Sequence, residues 1–438
     1  MSSSSSSSNT ATTTGVADAK NGSSNGNIIS NYEPIDFDAM GLEWKHEENE
    51  SKKPRAIRMA SECRRRLTQA TANIIDKIKQ RKQQEQERNE GEGEDASHNN
   101  NNNNNGTDGT LGLILSGGVD TCAILEAATS LGVVFDVAIT VVIGDTSPDD
   151  LYSKYAAFKH GLSTRHVVVK MTPEDLVETH LPRTIETLKV WTGMTIRNSL
   201  VISAAFQEAQ KQGLTDVLVG DGADELFGGY TFTWGDASDP VGWKAKRDKM
   251  CRAWTFATDD LAASYGLIAH APYEDQEEMV DWALNEALRE DCIADDRCLI
   301  QLLLGEPYNT HTTGKVLLRE AFRTGSSWRR KDPIEKGSGA TVIGHDEYWE
   351  EQVSDREFKT ETRILQIEEG VAIKTKENLV NFRIYRKIFG GILHPTRKRL
   401  AIGEGCIDCR FELDYPGAMF CHMCGAYPAQ RPKEEEQS

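Results

Sequence analysis

The stretch Leu111-Gly-Leu-Ile-Leu-Ser116-Gly117-Gly118-Val119-Asp120-Thr121 decides the fold. Leu111 to Leu115 suits a buried parallel strand, and Cys122 to Leu131 is an apolar-rich run of good helix formers. The turn joining them reads as a nucleotide phosphate site. Gly117 and Gly118 let the backbone approach an anion closely, while the Ser116 and Thr121 hydroxyls and the helix N-terminal amides can donate to phosphate oxygens. Asp120 would repel phosphate unless a divalent cation lay between them, so it argues for magnesium as well as nucleotide. Taken alone, Ser-Gly-Gly also fits an ordinary strand-to-helix turn.

A second acidic, glycine-punctuated strand exit follows about a hundred residues later. Asp216 to Gly220 reads as a short strand running into Asp221-Gly222-Ala-Asp224-Glu-Leu-Phe-Gly-Gly-Tyr230. In a doubly wound α/β sheet, loops at the carboxyl ends of parallel strands converge on one crevice, so Asp120 and Asp224 are expected to share one magnesium. The plain alternative is an acid-rich surface turn.

At this point the chain resembles the synthetase domain of asparagine synthetases, within the ATP pyrophosphatase (PP-loop) superfamily. Ser116 to Thr121 is similar to that family's pyrophosphate loop, with threonine in place of its last serine, and Asp221 to Tyr230 is similar to its Gly-Glu-Gly-Ser-Asp-Glu-Leu-Phe-Gly-Gly-Tyr motif. Thr195-Ile-Arg197-Asn-Ser199, Lys315-Val-Leu-Leu-Arg319-Glu-Ala-Phe322, Trp328-Arg-Arg-Lys331 and Lys376-Glu377 with Tyr385 to Phe389 extend the resemblance over about two thirds of the chain. The resemblance implies an adenine-nucleotide α-hydrolase-like parallel sheet with a helical C-terminal part. It also implies an ATP-dependent carbon–nitrogen ligase in which a substrate carboxylate is adenylated, pyrophosphate leaves, and ammonia or another amine forms the amide. ATP would lie against Ser116, Gly117, Gly118, Asp120, Thr121, Gly220 and Gly222, with magnesium on Asp120 and Asp224. Lys331 would neutralise pyrophosphate, Arg197 would lie in the active site, and Asp221 would handle the nitrogen nucleophile.

Several positions depart from the family pattern. Asp221 stands where the family has glutamate, Met194 replaces a threonine, and Ile268 and His270 replace a glutamate and an arginine. Ile268 is expected to repack as core, or else the pocket has lost a charged pair and takes a less polar substrate. Ser2 replaces the cysteine that begins glutamine-using relatives, and the stretch before Leu111 leaves no room for a glutaminase domain. Ammonia is therefore expected from solution or a partner protein, or another amine replaces it.

Serine- and asparagine-rich tracts such as Ser2 to Ser8 and Asn99 to Asn105 cannot bury a core, so residues 1–53 and 80–109 are expected to be disordered. Between them, Met59, Cys63, Leu67, Ala70, Ile74 and Ile78 recur at helical spacing, which predicts a helix over 54–79 packing on the catalytic domain at 110–395. Residues 255–304 read as helical, with Leu261, Tyr265 and Ile268 on one stripe. The chain ends in an acidic tail, 431–438.

Cys406-Ile-Asp-Cys409 and Cys421-His-Met-Cys424-Gly425 form two Cys-x-x-Cys knuckles, which predict a zinc ribbon over 400–430. Four thiolates satisfy tetrahedral zinc and leave no open position for catalysis, so the site is structural or used in recognition. Disulfides are disfavoured because the sequence carries no secretory signal and no apolar span, which also argues against a membrane partner and makes the cytoplasm the expected location. Cys63, Cys122, Cys251, Cys292 and Cys298 are isolated and read as core or surface residues.

Two rivals remain open. One is a PP-loop RNA-modifying enzyme whose ribbon, with Arg397, Lys398, Arg399 and Arg410 nearby, grips tRNA; the formal net charge of −18 opposes a broad nucleic-acid footprint. The other is a non-catalytic nucleotide-binding scaffold.

Overall fold

The computed structural model of the chain describes residues 28–29, 54–91, 111–145, 147–235, 238–252, 254–298, 310–323 and 329–430. Most of the expected tracts 1–53 and 80–109, together with Trp328 and the acidic tail, lie outside these residues.

Five parallel strands form the centre: β2 (Leu111–Ile114), β3 (Val137–Ile143), β4 (His166–Met171), β5 (Asp216–Leu218) and β6 (Ile268–His270). A two-residue strand, β1 (Ile28–Ile29), pairs antiparallel with the β4 edge, a departure from the structureless N-terminus expected from composition. The sheet order β1-β4-β3-β2-β5-β6 places β2 at the middle. From β2 the chain first winds outward through β3 and β4, then returns to the other side for β5 and β6. The topological switch therefore falls between β2 and β5, where a doubly wound sheet opens a crevice at its carboxyl edge.

Side chains alternate between the two faces. Leu111, Leu113, Leu115 and Leu218 face a core shared with α1 (Pro54–Gly91) and α2 (Val119–Ser130), while Ile139, Val141, Ile143, Val217 and Val219 face the other core. Helices α3 (Pro148–Lys159), α4 (Pro173–Leu188) and α5 (Gly193–Lys211) follow, and α4 and α5 pack into that second core. Continuous apolar strands are the expected pattern where both faces of a parallel sheet are covered.

Met59, Cys63, Leu67, Ala70, Ile74 and Ile78 are all buried beneath α1. The helix continues past Lys79 to Gly91, into the tract from 80 that is expected from composition to be disordered. Gln, Glu, Lys and Arg are good helix formers, and Arg81 fastens this part by pairing with the buried Asp216 carboxylate at the start of β5.

Within the stretch read as helical, residues 255–298 do not form one helix. They divide into the helix Thr258–Ser264, strand β6, the helices Glu277–Glu286 and Arg289–Cys292, and β7 (Ala294–Cys298), which pairs with β8 (Thr310–Thr313). Gly266 at φ +72° breaks the helical stripe. Ile268 is 44% exposed on the edge strand instead of repacking as core.

Candidate functional site: a nucleotide crevice and a four-cysteine module

The first loop leaves β2 and is held open by glycine. Gly117 has φ +72°, and a Cβ there would meet Tyr152 and Ser153 backbone at 2.4 Å, so only glycine fits the turn. The Gly118 N–H donates to Ser116 Oγ at 3.2 Å, and the Ser116 and Thr121 hydroxyls face each other at 3.4 Å across the turn. Helix α2 starts directly behind this loop.

The second loop leaves β5 and turns at Gly222, with φ +89°, into the short helix α6 (Ala223–Phe227). The two loops touch: a Cβ on Gly220 would come within 3.1 Å of Asp120 and of Thr121. Tyr273 Oη donates to the Asp120 carbonyl at 2.8 Å. Ser116, Gly118, Asp120, Thr121, Gly220, Asp221 and Asp224 line one cavity, whose apolar end includes Leu115, Ile139, Val141, Val201 and Ala205. The same cavity is lined by Lys315, Arg319, Arg329, Arg330 and Lys331. Glycine-bearing loops and a dense set of cations around one partly apolar cavity are what a polyanion with a flat apolar end would require.

Asp120 and Asp224 face a common point, and that point holds an ammonium. Lys315 Nζ lies 2.7 Å from Asp120 and 2.8 Å from Asp224. Burial works against the Lys315 charge, but the two carboxylates outweigh it and hold the lysine above its ordinary pKa. Lys331 also pairs with Asp224 and lies over the Tyr230 ring. Burial followed by the nearby Lys315 charge pulls Lys331 below the usual lysine range. For Asp224, burial opposes ionisation, but Lys315 and Lys331 prevail and keep the carboxyl well below its usual range.

Arg329 donates to the Ser116 carbonyl at 2.9 Å and to Asp149 at 2.5 Å, tying the phosphate-type loop to α3. Its Nε has no hydrogen-bond partner among the described residues. A buried guanidinium N–H without an acceptor is a donor left for an anion. In the same cavity, burial raises Asp221 to about 6; the Thr258 hydroxyl opposes this, and the neighbouring Asp259, Asp224 and Asp120 reinforce it.

The comparisons with known proteins bear on these loops. Residues 103–305 match the sequence model of the family described as "Asparagine synthase". That stretch, a little under half of the chain, is similar to an asparagine synthase domain. A probable asparagine synthetase (glutamine-hydrolyzing) of Dictyostelium discoideum is 27% identical over 211 residues, 45% of this chain and 36% of that protein. A putative asparagine synthetase (glutamine-hydrolyzing) of Methanocaldococcus jannaschii is 32% identical over 120 residues, 27% of this chain and 21% of that protein. The alignments thus span about a third and a fifth of the relatives' lengths.

The asparagine synthase match includes Ser116 to Thr121 and Gly220 to Asp224 but stops before Lys315 and Lys331, whose place at the site rests on the structure. Arg197 is not brought into the cavity lining. It donates to Glu377 at 2.6 Å and faces Glu335 at 3.9 Å behind the wall formed by Ile334. Burial raises Glu377 to about 7 against the pull of Arg197. Met194 is 53% exposed and, like Ile268 and His270, lies outside the cavity lining; His270 instead bonds the buried Asp216 at 2.8 Å. These three departures therefore lie off the cavity wall, whereas Asp221 lines it.

Sequence reasoning gave Lys315 and Arg329 no individual role. Both sit inside motifs that carried the resemblance, but a lysine between two acids is a tertiary fact with no local spacing to reveal it.

The C-terminal cysteines form a separate centre. Cys406, Cys409, Cys421 and Cys424 are buried, and their sulfurs lie within 4.8 Å of one another. The pairs Cys406–Cys424 and Cys409–Cys421 are 3.6 Å apart, too long for a disulfide and close to the tetrahedral edge of about 3.8 Å that a Zn–S bond of ~2.3 Å requires. Asp408 N–H donates to Cys406 Sγ at 3.4 Å. The four buried thiols fit a closed metal site. Arg397 pairs with Asp414, while Arg399 and Arg410 donate to carbonyls of Cys409 and Leu400, so these three cations are engaged within the module.

Proposed function

We propose that this chain is an ATP-dependent carbon–nitrogen ligase. The observation that carries the reading is the meeting of the Ser116–Thr121 and Gly220–Asp224 loops at the sheet's switch point, in one cavity with Lys315, Arg319, Arg329 and Lys331. The two relatives, both named as asparagine synthetases, support the same chemistry.

ATP would lie with its base toward Leu115, Ile139 and Val201 and its phosphates against the Ser116 loop. A substrate carboxylate oxygen attacks the α-phosphorus, the bond to the β-phosphate oxygen breaks, and pyrophosphate leaves toward Lys331 and Arg329, whose charges stabilise it. The nitrogen lone pair of ammonia or another amine then attacks the acyl carbon. AMP departs, and Asp221 accepts the nitrogen's proton. Asp120 and Asp224 are hard oxygen donors facing the position that Lys315 Nζ fills, so they would hold magnesium once bound triphosphate drew that ammonium away, and the ion would supply neutralisation of triphosphate charge. The four cysteines would hold structural zinc. The RNA alternative gains nothing from Arg397, Arg399 and Arg410, which are bonded inside the module.

The test is to incubate the protein with ATP, magnesium, ammonium and a metabolite extract, following AMP and pyrophosphate and searching by mass spectrometry for a new amide. Lys331→Ala and Asp120→Ala should abolish both. Cleavage of ATP between its β and γ phosphates alone, or no cleavage with any acid and amine panel, would overturn the reading.

A further inference from the structure

The four-cysteine module sits against the backbone that starts helix α5. Trp191 N–H donates to the Met423 carbonyl at 2.9 Å, inside the second knuckle. Asn378 bridges the two: it accepts from Gly193 N–H at 2.8 Å and donates to the Cys424 carbonyl at 3.4 Å. Gly425, at φ +82°, passes so close to Thr192 that a Cβ would lie 2.5 Å from its hydroxyl oxygen. The Trp191 ring is enclosed edge-on by Phe382, Tyr385 and Phe411, so the knuckles share their core with the catalytic domain.

Gly193 is the first residue of α5, and Val201, Ile202 and Ala205 of the same helix form part of the cavity wall. Val201 is two turns along, about 12 Å at 1.5 Å per residue. A helix packed on both sides moves as a rigid lever, so whatever fixes its first turn fixes that wall. Residue Glu377, next to Asn378, anchors Arg197 on the intervening turn.

We propose that the metal-loaded module is a positioning clamp: zinc at Cys406, Cys409, Cys421 and Cys424 sets the start of α5 through Trp191, Gly193 and Asn378 and thereby sets the nucleotide affinity of the cavity. The proposal rests on the nucleotide reading above. By linkage the coupling is reciprocal, so bound nucleotide must also strengthen zinc retention.

The experiment uses the full chain in its zinc-loaded form. ATP affinity is measured by calorimetry before and after treatment with a thiol-competing zinc chelator that spares magnesium, and the rate of zinc loss is measured with and without ATP. ATP is expected to bind about tenfold more weakly without zinc, with zinc loss slowed by ATP to a comparable degree. Because zinc removal can unfold the module, Asn378→Leu provides a second arm: it keeps all four sulfurs and removes both bridging hydrogen bonds. That variant should retain stoichiometric zinc yet bind ATP severalfold more weakly and lose the ATP effect on zinc release. Unchanged ATP affinity in zinc-replete Asn378→Leu, or equal affinity with and without zinc in folded protein, overturns the clamp. Failure of the zinc-loaded wild type to bind ATP overturns the nucleotide reading instead.

Discussion

Lys315 places its ammonium 2.7 Å from the Asp120 carboxylate, across 195 residues of sequence. The same nitrogen reaches Asp224, so one internal cation balances the two acids that would otherwise repel each other at the mouth of the nucleotide loop. It stands where a magnesium ion would sit.

Replacing that lysine should therefore expose a cation site. In Lys315→Met, Asp120 loses its ion-pair partner and Asp224 is left with Lys331 alone, and removing one side of a buried pair costs about 3–5 kcal/mol. Melting measured without divalent ions should fall accordingly. Millimolar magnesium should raise the variant's midpoint far more than that of the wild type, since one unit charge at ~4 Å is worth about 4 kcal/mol in partly wet surroundings. Equal magnesium responses in the two proteins would show that the carboxylates do not form a cation site.

Gly117→Ala tests the loop itself. Positive φ and a Cβ at 2.4 Å from the α3 backbone leave the added methyl nowhere to go. Strain on the order of 3 kcal/mol is expected, and relief by moving the loop away from Tyr152 would carry Ser116 out of register. Chemical denaturation should report the loss, and ATP binding should fall even where the variant remains folded. Gly132→Ala is the control, because its positive φ faces open space and lies far from the crevice. Loss of stability without loss of ATP binding in Gly117→Ala would separate the loop from the nucleotide.

What was legible in the sequence was whatever local spacing encodes. Ser116 to Thr121 and Gly220 to Asp224 each announce a strand ending in a glycine turn, the α1 stripe follows a 3.6-residue period, and the cysteine pairs carry their own spacing. The rest depends on tertiary context. Lys315 reads as an ordinary lysine, and neither its positive φ of +56° nor its burial has a local signature. Arg197 was placed by resemblance alone, and Glu377 and Glu335, remote in sequence, draw it behind the cavity wall. Between Thr258 and Cys298, good helix formers are divided by turns and by pairing with β5, which composition does not reveal.

Asp221 supplies a pH signature with a defined sign. Burial, together with Asp259, Asp224 and Asp120, raises its carboxyl from 3.8 to about 6. If it serves as the proposed base it is active when ionised, so amide formation should rise as pH passes upward through about 6 and then level off. Asp221→Asn should lose that ascending limb and slow amide formation by roughly 10²–10⁴-fold. Stability should run the other way. A carboxyl whose folded pKa is raised favours folding most below its unfolded value, and that advantage is lost as pH climbs through the folded pKa. The asparagine variant should therefore be the more stable protein at pH 8, with its advantage shrinking toward pH 4. A rate profile for Asp221→Asn that keeps the wild-type ascending limb would remove Asp221 as the base.

Cys409→Ser tests the metal centre without touching the crevice. Its sulfur lies 3.6 Å from Cys421, and Arg399 donates to its carbonyl at 3.2 Å, so both the metal set and the return strand of the module depend on this knuckle. A hydroxyl is a poor substitute for thiolate toward zinc, and a closed four-sulfur site has no spare ligand to replace it. Elemental analysis of the wild type should give about one zinc per chain, and the serine variant should fall well below that. Because Cys406, Cys409, Cys421 and Cys424 share a core with Trp191 and Phe382, the variant should also melt earlier and become susceptible to proteolysis after Gly390. Wild-type protein that purifies without metal, with four freely titrating thiols and a melting midpoint indifferent to added zinc, would leave the cysteines as a packing cluster and nothing more.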